Sequence, residues 1–212
     1  MKSSTNLDDK VKKDFLTYAN AVIKSRAISS VEDNLKPVHR RILYTMFENK
    51  LLANKKTVKS SNVVGKVMIR HPHGDSSIYN AMVRLAQPWK MRYPLIEIQG
   101  NKGSISGDPA AAYRYTEAKL TPIGELMVKE LEFKSVPHIP TYDDSSTEPV
   151  VMPSMFPNVL CNGNKGIAVG MSSDVLPHNL NEAVDAINLY IDEPMVTVEQ
   201  ILEVMPGPDL PT

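Results

Sequence analysis

A four-residue turn, His71-Pro72-His73-Gly74, constrains the fold most tightly, because it falls between two stretches that both read as short amphipathic helices. Proline breaks a helical ladder and glycine tolerates the dihedrals of a sharp reversal. Between residue 59 and the turn, Val63, Val64, Val67 and Met68 recur on one helical face; from the turn to residue 86, Ile78, Met82 and Leu85 do the same. Asp75 or Ser76 is expected to cap the second helix. This is helix-turn-helix length and patterning, with Ser76, Ser77, Asn80 and Arg84 expected to point outward. Many helical hairpins bind nothing, so the surrounding charge matters.

The 212 residues carry no net charge, but the average hides a division. Residues 34–103 hold 13 Lys/Arg against 3 Asp/Glu, whereas residues 104–212 hold 5 against 16. A basic block beside an acidic one suggests either a polyanion-binding face or a solvated basic surface. The length allows one sizeable core and part of a second. The single cysteine, Cys161, leaves no internal disulfide and suits a reducing compartment. No apolar run approaches the roughly 18 residues of a membrane span. No secretory signal is visible at the N-terminus, so a cytoplasmic protein is expected.

Residues 7–24 read as an amphipathic helix with Leu7, Val11, Phe15, Tyr18, Val22 and Ile23 on its apolar side. It either packs on its own domain or forms an arm that docks on a partner. Pro37 suits the first turn of a following helix, where its missing N–H costs nothing. Val38, Ile42, Leu43, Met46 and Phe47 form that helix's apolar stripe, and Lys36, His39, Arg40 and Arg41 cluster at its start. There they are placed to meet phosphate together with the free backbone N–H groups.

Gln99 to Asp108 form a glycine-rich loop without the spacing of a nucleotide-binding P-loop. Gly163, Gly166 and Gly170 read as tight turns around a short strand. Pro137, Pro140, Pro149, Pro153 and Pro157 mark a boundary of extended connections. Residues 180–190 and 197–204 read as helices, and Met205 to Thr212 as a turn or strand entry. His71 and His73, without a carboxylate or cysteine cluster, make a poor metal site; a turn that donates to phosphate is the better reading. In Ala110-Ala111-Ala112-Tyr113-Arg114-Tyr115-Thr116-Glu117, Tyr115 is the candidate nucleophile toward a DNA phosphodiester. A phenol can form a phosphotyrosine ester and be displaced from it again. With an ordinary pKa of about 10 it needs a cation or base beside it, and Arg114 is the adjacent cation. Taken alone, the octapeptide reads first as structural aromatics and a solvated charge, and only the rest of the chain changes that.

Several stretches together resemble the A subunit of bacterial type IIA DNA topoisomerases, the DNA gyrase and topoisomerase IV family. They are L-K-P-V-H-R-R at 35–41, H-P-H-G-D-S at 71–76, R-L-A-Q-P at 84–88 and Q-G-N-x-G-S at 99–104. A-A-x-R-Y-T-E at 111–117, N-G-x-x-G-I-A-V-G-M at 162–171, P-H-N-L at 177–180 and P-G-P-D-L-P-T at 206–212 continue the series. The resemblance implies an α+β breakage-reunion region: an N-terminal arm at 1–25, a winged-helix DNA-cleavage domain at 26–148, and from 149 the start of a tower domain. It implies Tyr115 as nucleophile and Arg114 as its phosphate-binding neighbour. Arg26, Lys36, Arg40, Arg41, His71 and His73 match positions that hold or polarise the DNA backbone, Arg26 and the two histidines close to the chemistry. Ile167 matches a residue that wedges between base pairs, an insertion that kinks the duplex. His39, Ser76, Arg84 and Lys102 are the further DNA-binding candidates.

The resemblance places magnesium and the ATPase on a partner B subunit, in an A2B2 heterotetramer whose A subunits pair at the DNA gate; no metal site is expected on this chain. Asn34 stands where the family usually has glycine, Lys102 where it has phenylalanine, and Asn80 where it has an acidic residue. Ser76 and Asn80 match positions that anchor quinolone drugs. The remaining tower, the coiled coil and the DNA-wrapping domain are absent from these residues, so cleavage by this chain alone is not expected. A non-catalytic winged-helix DNA-binding module, or an inactive fragment, is the alternative.

Overall fold

The computed structural model describes residues 6–210. The first five residues of the predicted arm and the last two of the 206–212 motif lie outside it. Helix α1 (Leu7–Val22) starts where the Asn6 side chain accepts from the Asp8 N–H, and it runs on as a π-helical turn, Ile23–Ala27. The first part of its apolar stripe lies in solvent: Leu7, Val11, Phe15 and Tyr18 are all more than half exposed and within α1 only Ala19 is buried, while Val22 and Ile23 at its end are half-buried. Among the described residues the helix thus packs on its own domain only at its end.

Helix α2 (Pro37–Glu48) begins with Pro37 in its first turn and sends Ile42, Leu43 and Met46 fully into the core. Before it, Asn34 adopts φ 55°, a left-handed conformation that asparagine tolerates where glycine is otherwise used. Helices α3 (Ser60–Met68) and α4 (Asp75–Arg84) form the predicted hairpin around the His71–Gly74 turn, with Val63, Val64, Val67, Ile78, Met82 and Leu85 buried. Two details differ. Met68 is 43% exposed, since it falls on the last turn beyond the reach of α2 and α4. The N-cap of α4 is Gly74, without a side-chain cap; Asp75 lies inside the first turn, where its charge suits the helix dipole and its carboxylate serves Ser76 and Tyr113.

Strands β1 (Val58–Lys59), β2 (Ile96–Gln99) and β3 (Glu117–Leu120) form an antiparallel sheet in the order β1-β3-β2, in register Ile96 to Leu120 and Val58 to Ala118. Ile96, Ile98, Ala118 and Leu120 face the core while Glu97 and Gln99 face outward, the period-2 pattern of a sheet with one face covered. Thr121 caps α5 (Pro122–Val128) by accepting from the Gly124 N–H at 3.0 Å. A Cβ at Gly124 would overlap the Leu95 carbonyl, so glycine is required for α5 to lie on the sheet.

A single 3-10 turn leads to the hairpin β4 (His138–Pro140) and β5 (Thr147–Pro149). Helix α6 (Asn158–Asn162), the hairpin β6 (Asn164–Ile167) and β7 (Ser172–Val175), and helices α7 (Leu180–Asp192) and α8 (Val198–Val204) follow. Thr197 and Gln200 close a capping box on α8. The fold is α+β, and one apolar core runs through it, reaching past residue 148 to Met152, Phe156, Cys161 and Ala183.

Candidate functional site

The loop before β3 presents Tyr115 outward and anchors both its flanks. The Tyr113 hydroxyl donates to Asp75 Oδ2 at 2.8 Å. Thr116 is fully buried: its Oγ1 lies 2.8 Å from Ser60 Oγ and 2.9 Å from the Tyr79 hydroxyl, and its carbonyl accepts from the Ser60 N–H. Tyr79 donates in turn to the Ala111 carbonyl at 2.7 Å. The helical hairpin thus grips positions 111, 113 and 116, while Tyr115 is 65% exposed and its hydroxyl has no hydrogen-bond partner among the described residues. The Arg114 guanidinium stacks 4.7 Å from the Tyr115 ring centre. A cation held there puts fixed positive charge against the face of the phenol ring. The glycine loop is tied to this segment, since the Asn101 carbonyl accepts from the Ala111 N–H, and Gly100, Gly103 and Gly107 all have positive φ. Lys102 is part of that loop, its carbonyl taking the Gln87 amide at 2.7 Å.

Lys36, His39, Arg84 and Ile167 share a cleft of about 1410 Å³. Ile167, at the end of β6, is 74% exposed, an apolar side chain held in the open by a tight hairpin with Gly170 at φ 78°. Burial, and secondarily Arg84, hold the Lys36 ammonium below its usual pKa. Burial, reinforced by Lys36, Arg84 and Arg40, pushes His39 down to about 3, so it stays a neutral imidazole. Cations that depress one another in this way are what a polyanion relieves. Lys90, Arg92 and Lys165 also line the cleft and were not foreseen. Only their positions in the basic block, or beside the Gly163–Gly170 turns, could have hinted at them. Arg92 is ion-paired with Asp209 at 3.0 Å.

A second, smaller cavity of about 490 Å³ is lined by Arg26, Arg41, His73 and Glu148 among apolar side chains. Arg41 makes a two-pronged pair with Glu148, both bonds 2.7 Å, and its third nitrogen, Nη1, donates to His71 Nδ1 at 2.8 Å. The rings of His71 and His73 meet edge to face at 4.5 Å. Burial first, then Arg41, His73 and Arg26, bring His71 down to about 4.

Arg40 corrects the sequence expectation. Its guanidinium is buried and donates to both Asp33 oxygens at 2.7 and 3.0 Å, to Ser30 Oγ and to the Leu35 carbonyl. It is committed to the scaffold, although it also borders the smaller cavity beside Arg41. One residue along a helix turns the side chain by roughly 100°, which separates Arg40 in the interior from Arg41 at the rim. Ser76 and Asn80 are exposed on α4, with the Ser76 N–H donating to Asp75 at 2.8 Å. Among the described residues no hydrogen bond joins Tyr115 to Arg26, His71 or His73, so one copy of the chain does not by itself bring these candidates into one hydrogen-bonded group. Among the same residues no three His, Cys, Asp or Glu side chains group as a metal site, and no helix is long and apolar enough to cross a membrane.

Residues 26–212 match the model of the DNA gyrase/topoisomerase IV family, in its A-subunit branch. The chain is 50% identical over 208 residues to the DNA gyrase A subunit of Deinococcus deserti, covering 98% of this chain and 26% of that protein. It is 50% identical over 208 residues to the gyrase A subunit of Chlamydia muridarum, covering 98% and 25%. With that of Thermotoga maritima it shares 51% over 207 residues, covering 97% and 26%. The chain spans about a quarter of the length of these relatives. By this match across nearly all of its residues, the chain belongs to the family of DNA gyrase/topoisomerase IV A subunits.

Proposed function

We propose that this chain is the DNA-cleaving part of the A subunit of a type II DNA topoisomerase, in an enzyme of the gyrase kind. The observation that carries the reading is Tyr115, a free hydroxyl on a loop gripped at 111, 113 and 116 with Arg114 stacked on its ring. Its oxygen attacks a DNA phosphorus and the bond from phosphorus to the 3′-oxygen breaks. The phenolic proton is lost as the 3′-hydroxyl gains one, and a 5′-phosphotyrosine link remains. The 3′-hydroxyl then displaces the phenol and reseals the strand, so no energy is lost in holding the break. One strand is cut per copy of this chain in a homodimer, and Arg26, His71 and His73 contact the reacting phosphate within that assembly.

The cleft of Lys36, His39 and Arg84, with Ile167 at its edge, is the seat for double-stranded DNA, with Arg41 and Lys102 as further contacts. Residues 1–25 serve as the arm, 26–148 as the winged-helix cleavage domain and 149–212 as the start of the tower. The partner is a B subunit in an A2B2 complex that works in the cytoplasm on the nucleoid. That subunit carries the ATPase and holds magnesium, which when bound stabilises phosphate charge. Of the carboxylates near Tyr115, Asp75 accepts from Tyr113 and Ser76, and Glu117 from Thr57 with Lys59 paired to it. Ser76 and Asn80 are the quinolone-contacting positions on α4.

The test is Tyr115→Phe in a complex reconstituted with B subunit, magnesium and the remaining portions of the cleavage subunit that these residues lack. Denaturant-stable protein–DNA adducts should disappear while duplex binding stays nearly unchanged, because phenylalanine packs alike but has no oxygen. Adducts that persist would assign the chemistry elsewhere and favour a non-catalytic DNA-binding module.

A further inference from the structure

We infer that Glu148 is a positioning residue: acting through Arg41, it fixes His71 as a neutral imidazole protonated on Nε2, so that His71 meets a DNA phosphate as a hydrogen-bond donor and not as a cation. The argument begins with donor chemistry. A guanidinium has donors only and keeps its charge at any pH a protein survives. Arg41 Nη1 lies 2.8 Å from His71 Nδ1, so that nitrogen must be the acceptor and carries no proton. The one remaining place for the imidazole proton is Nε2. That atom has no hydrogen-bond partner among the described residues and is not among their sealed, unpaired polar atoms, so it keeps an opening to the surface.

What holds Arg41 in this pose is Glu148. Strand β5 delivers the carboxylate, paired across the hairpin with Ile139 of β4, and its two oxygens take Nε and Nη2 of Arg41 at 2.7 Å each. A forked pair of this kind fixes the plane of the guanidinium as well as its place, and the plane aims Nη1 at the histidine. The pair is mostly buried, so competition from water is weak. The surroundings oppose a second proton on His71: burial first, then the Arg41 guanidinium that touches it and the nearby Arg26. A neutral donor suits the site, since Arg41 and Arg26 already supply cationic charge there.

The phosphate half of this inference rests on the DNA-cleavage reading; the tautomer half does not. The full chain carrying isotope-labelled histidine is examined near neutral pH by two-bond proton–nitrogen correlation, with His71→Gln for assignment. The wild type should show Nδ1 with the shift of an unprotonated acceptor and Nε2 with that of a protonated nitrogen. Protonated Nδ1, or two averaged nitrogens, would overturn the assignment with no variant needed. In Glu148→Gln the two shifts should move toward the averaged values of a free imidazole, and Glu148→Asp should move partway back. An unchanged spectrum in Glu148→Gln would remove Glu148 from the arrangement. Adding a short duplex should shift Nε2 in the wild type. A bound duplex that leaves Nε2 unmoved would overturn the phosphate contact alone, while the Tyr115 adduct assay judges the cleavage reading separately.

Discussion

The neighbourhood of Asp33 and the neighbourhood of Tyr115 are both rich in polar groups, yet they are built to opposite ends. Asp33 is fully buried, and every bond its carboxylate makes is internal: Arg40 forks onto it, and the Leu35 and Met152 N–H groups complete the set at 2.9 and 2.8 Å. Asn158 reaches the Asp33 carbonyl and Asn162 reaches Asn158, so the network staples the start of α2 to α6. Around Tyr115 the side-chain anchors stop at Thr116 on one side and Tyr113 on the other; Tyr115 itself is tied only through its N–H to the Ala112 carbonyl, and its hydroxyl has no partner among the described residues. The cations divide in the same way. Arg40 belongs to the scaffold, Lys36 and Arg84 belong to the open cleft, and Arg41 stands between, paired but still touching His71. A basic block therefore holds two populations that a charge count merges.

The largest effect should come from breaking the closed region. Arg40→Ala leaves the Asp33 carboxylate buried without its counter-charge, and removing one partner of such a pair costs about 3–5 kcal/mol. Urea denaturation should show that loss. The salt dependence of DNA binding by the remaining folded protein should be unchanged. A stable Arg40→Ala chain with a flattened salt slope would return Arg40 to the DNA face.

Acid should come next, because two histidines are kept neutral by their surroundings, His39 in the cleft and His71 against Arg41. His39 is pushed down to about 3 and His71 to about 4. In the unfolded chain each titrates near 6.5. Above that pH both states are neutral and the full stability is present. As pH falls below it the unfolded chain binds protons that the fold refuses, so stability declines until each folded value is reached. The decline is at most about 1.4 kcal/mol per pH unit for each histidine, less for His39 where water reaches the ring. His39→Gln should make the acid limb shallower in a melting series from neutral to mildly acidic pH; an identical limb would show that the cleft does not hold this ring neutral.

How much of this was legible beforehand follows from the same division. Periodicity found α2, α3 and α4 and the right buried faces, because a helix that packs on both neighbours must repeat its apolar residues at 3.6. At α1 the same periodicity left two readings open, since a stripe that packs on a partner repeats in the same way as one that packs on its own core. The motif 111–117 picked out Tyr115, but nothing local announced that Tyr79, Ser60 and Asp75, all far back in the chain, fix its flanks. Arg40 and Arg41 were indistinguishable as letters. What separates them is a carboxylate at 33 and another at 148, and a one-dimensional reading has no means to bring Glu148 to α2.

On the open side the expected change is smaller and of another kind. Lys36→Ala should leave the melting temperature nearly unaltered, since the ammonium's only internal bond among the described residues is a long one of 3.3 Å to the Lys165 carbonyl. It should reduce the slope of log affinity against log salt by about 0.9 if it contacts one phosphate. An unchanged slope would place the DNA off this cleft and leave the comparison of the two regions without its open member.

The smallest effect on the folded chain should come from cutting away α1 as far as Tyr18. The side chains lost, Leu7, Val11, Phe15 and Tyr18 among them, lie mostly in solvent, and the one residue that α1 buries, Ala19, stays. Little apolar area returns to water, so the melting temperature should hold. Association with a B subunit is where the loss should appear if the arm docks there. Full burial of a side chain such as Val11 or Phe15 is worth roughly 1.5–3 kcal/mol, and about 1.4 kcal/mol is already tenfold in affinity. The truncated chain should therefore bind its partner about tenfold more weakly or worse, by calorimetry or analytical ultracentrifugation, while its own denaturation curve overlays the parent. A large drop in melting temperature would mean that the stripe folds back on this chain. An unchanged affinity for the B subunit would mean that the exposed stripe serves another surface.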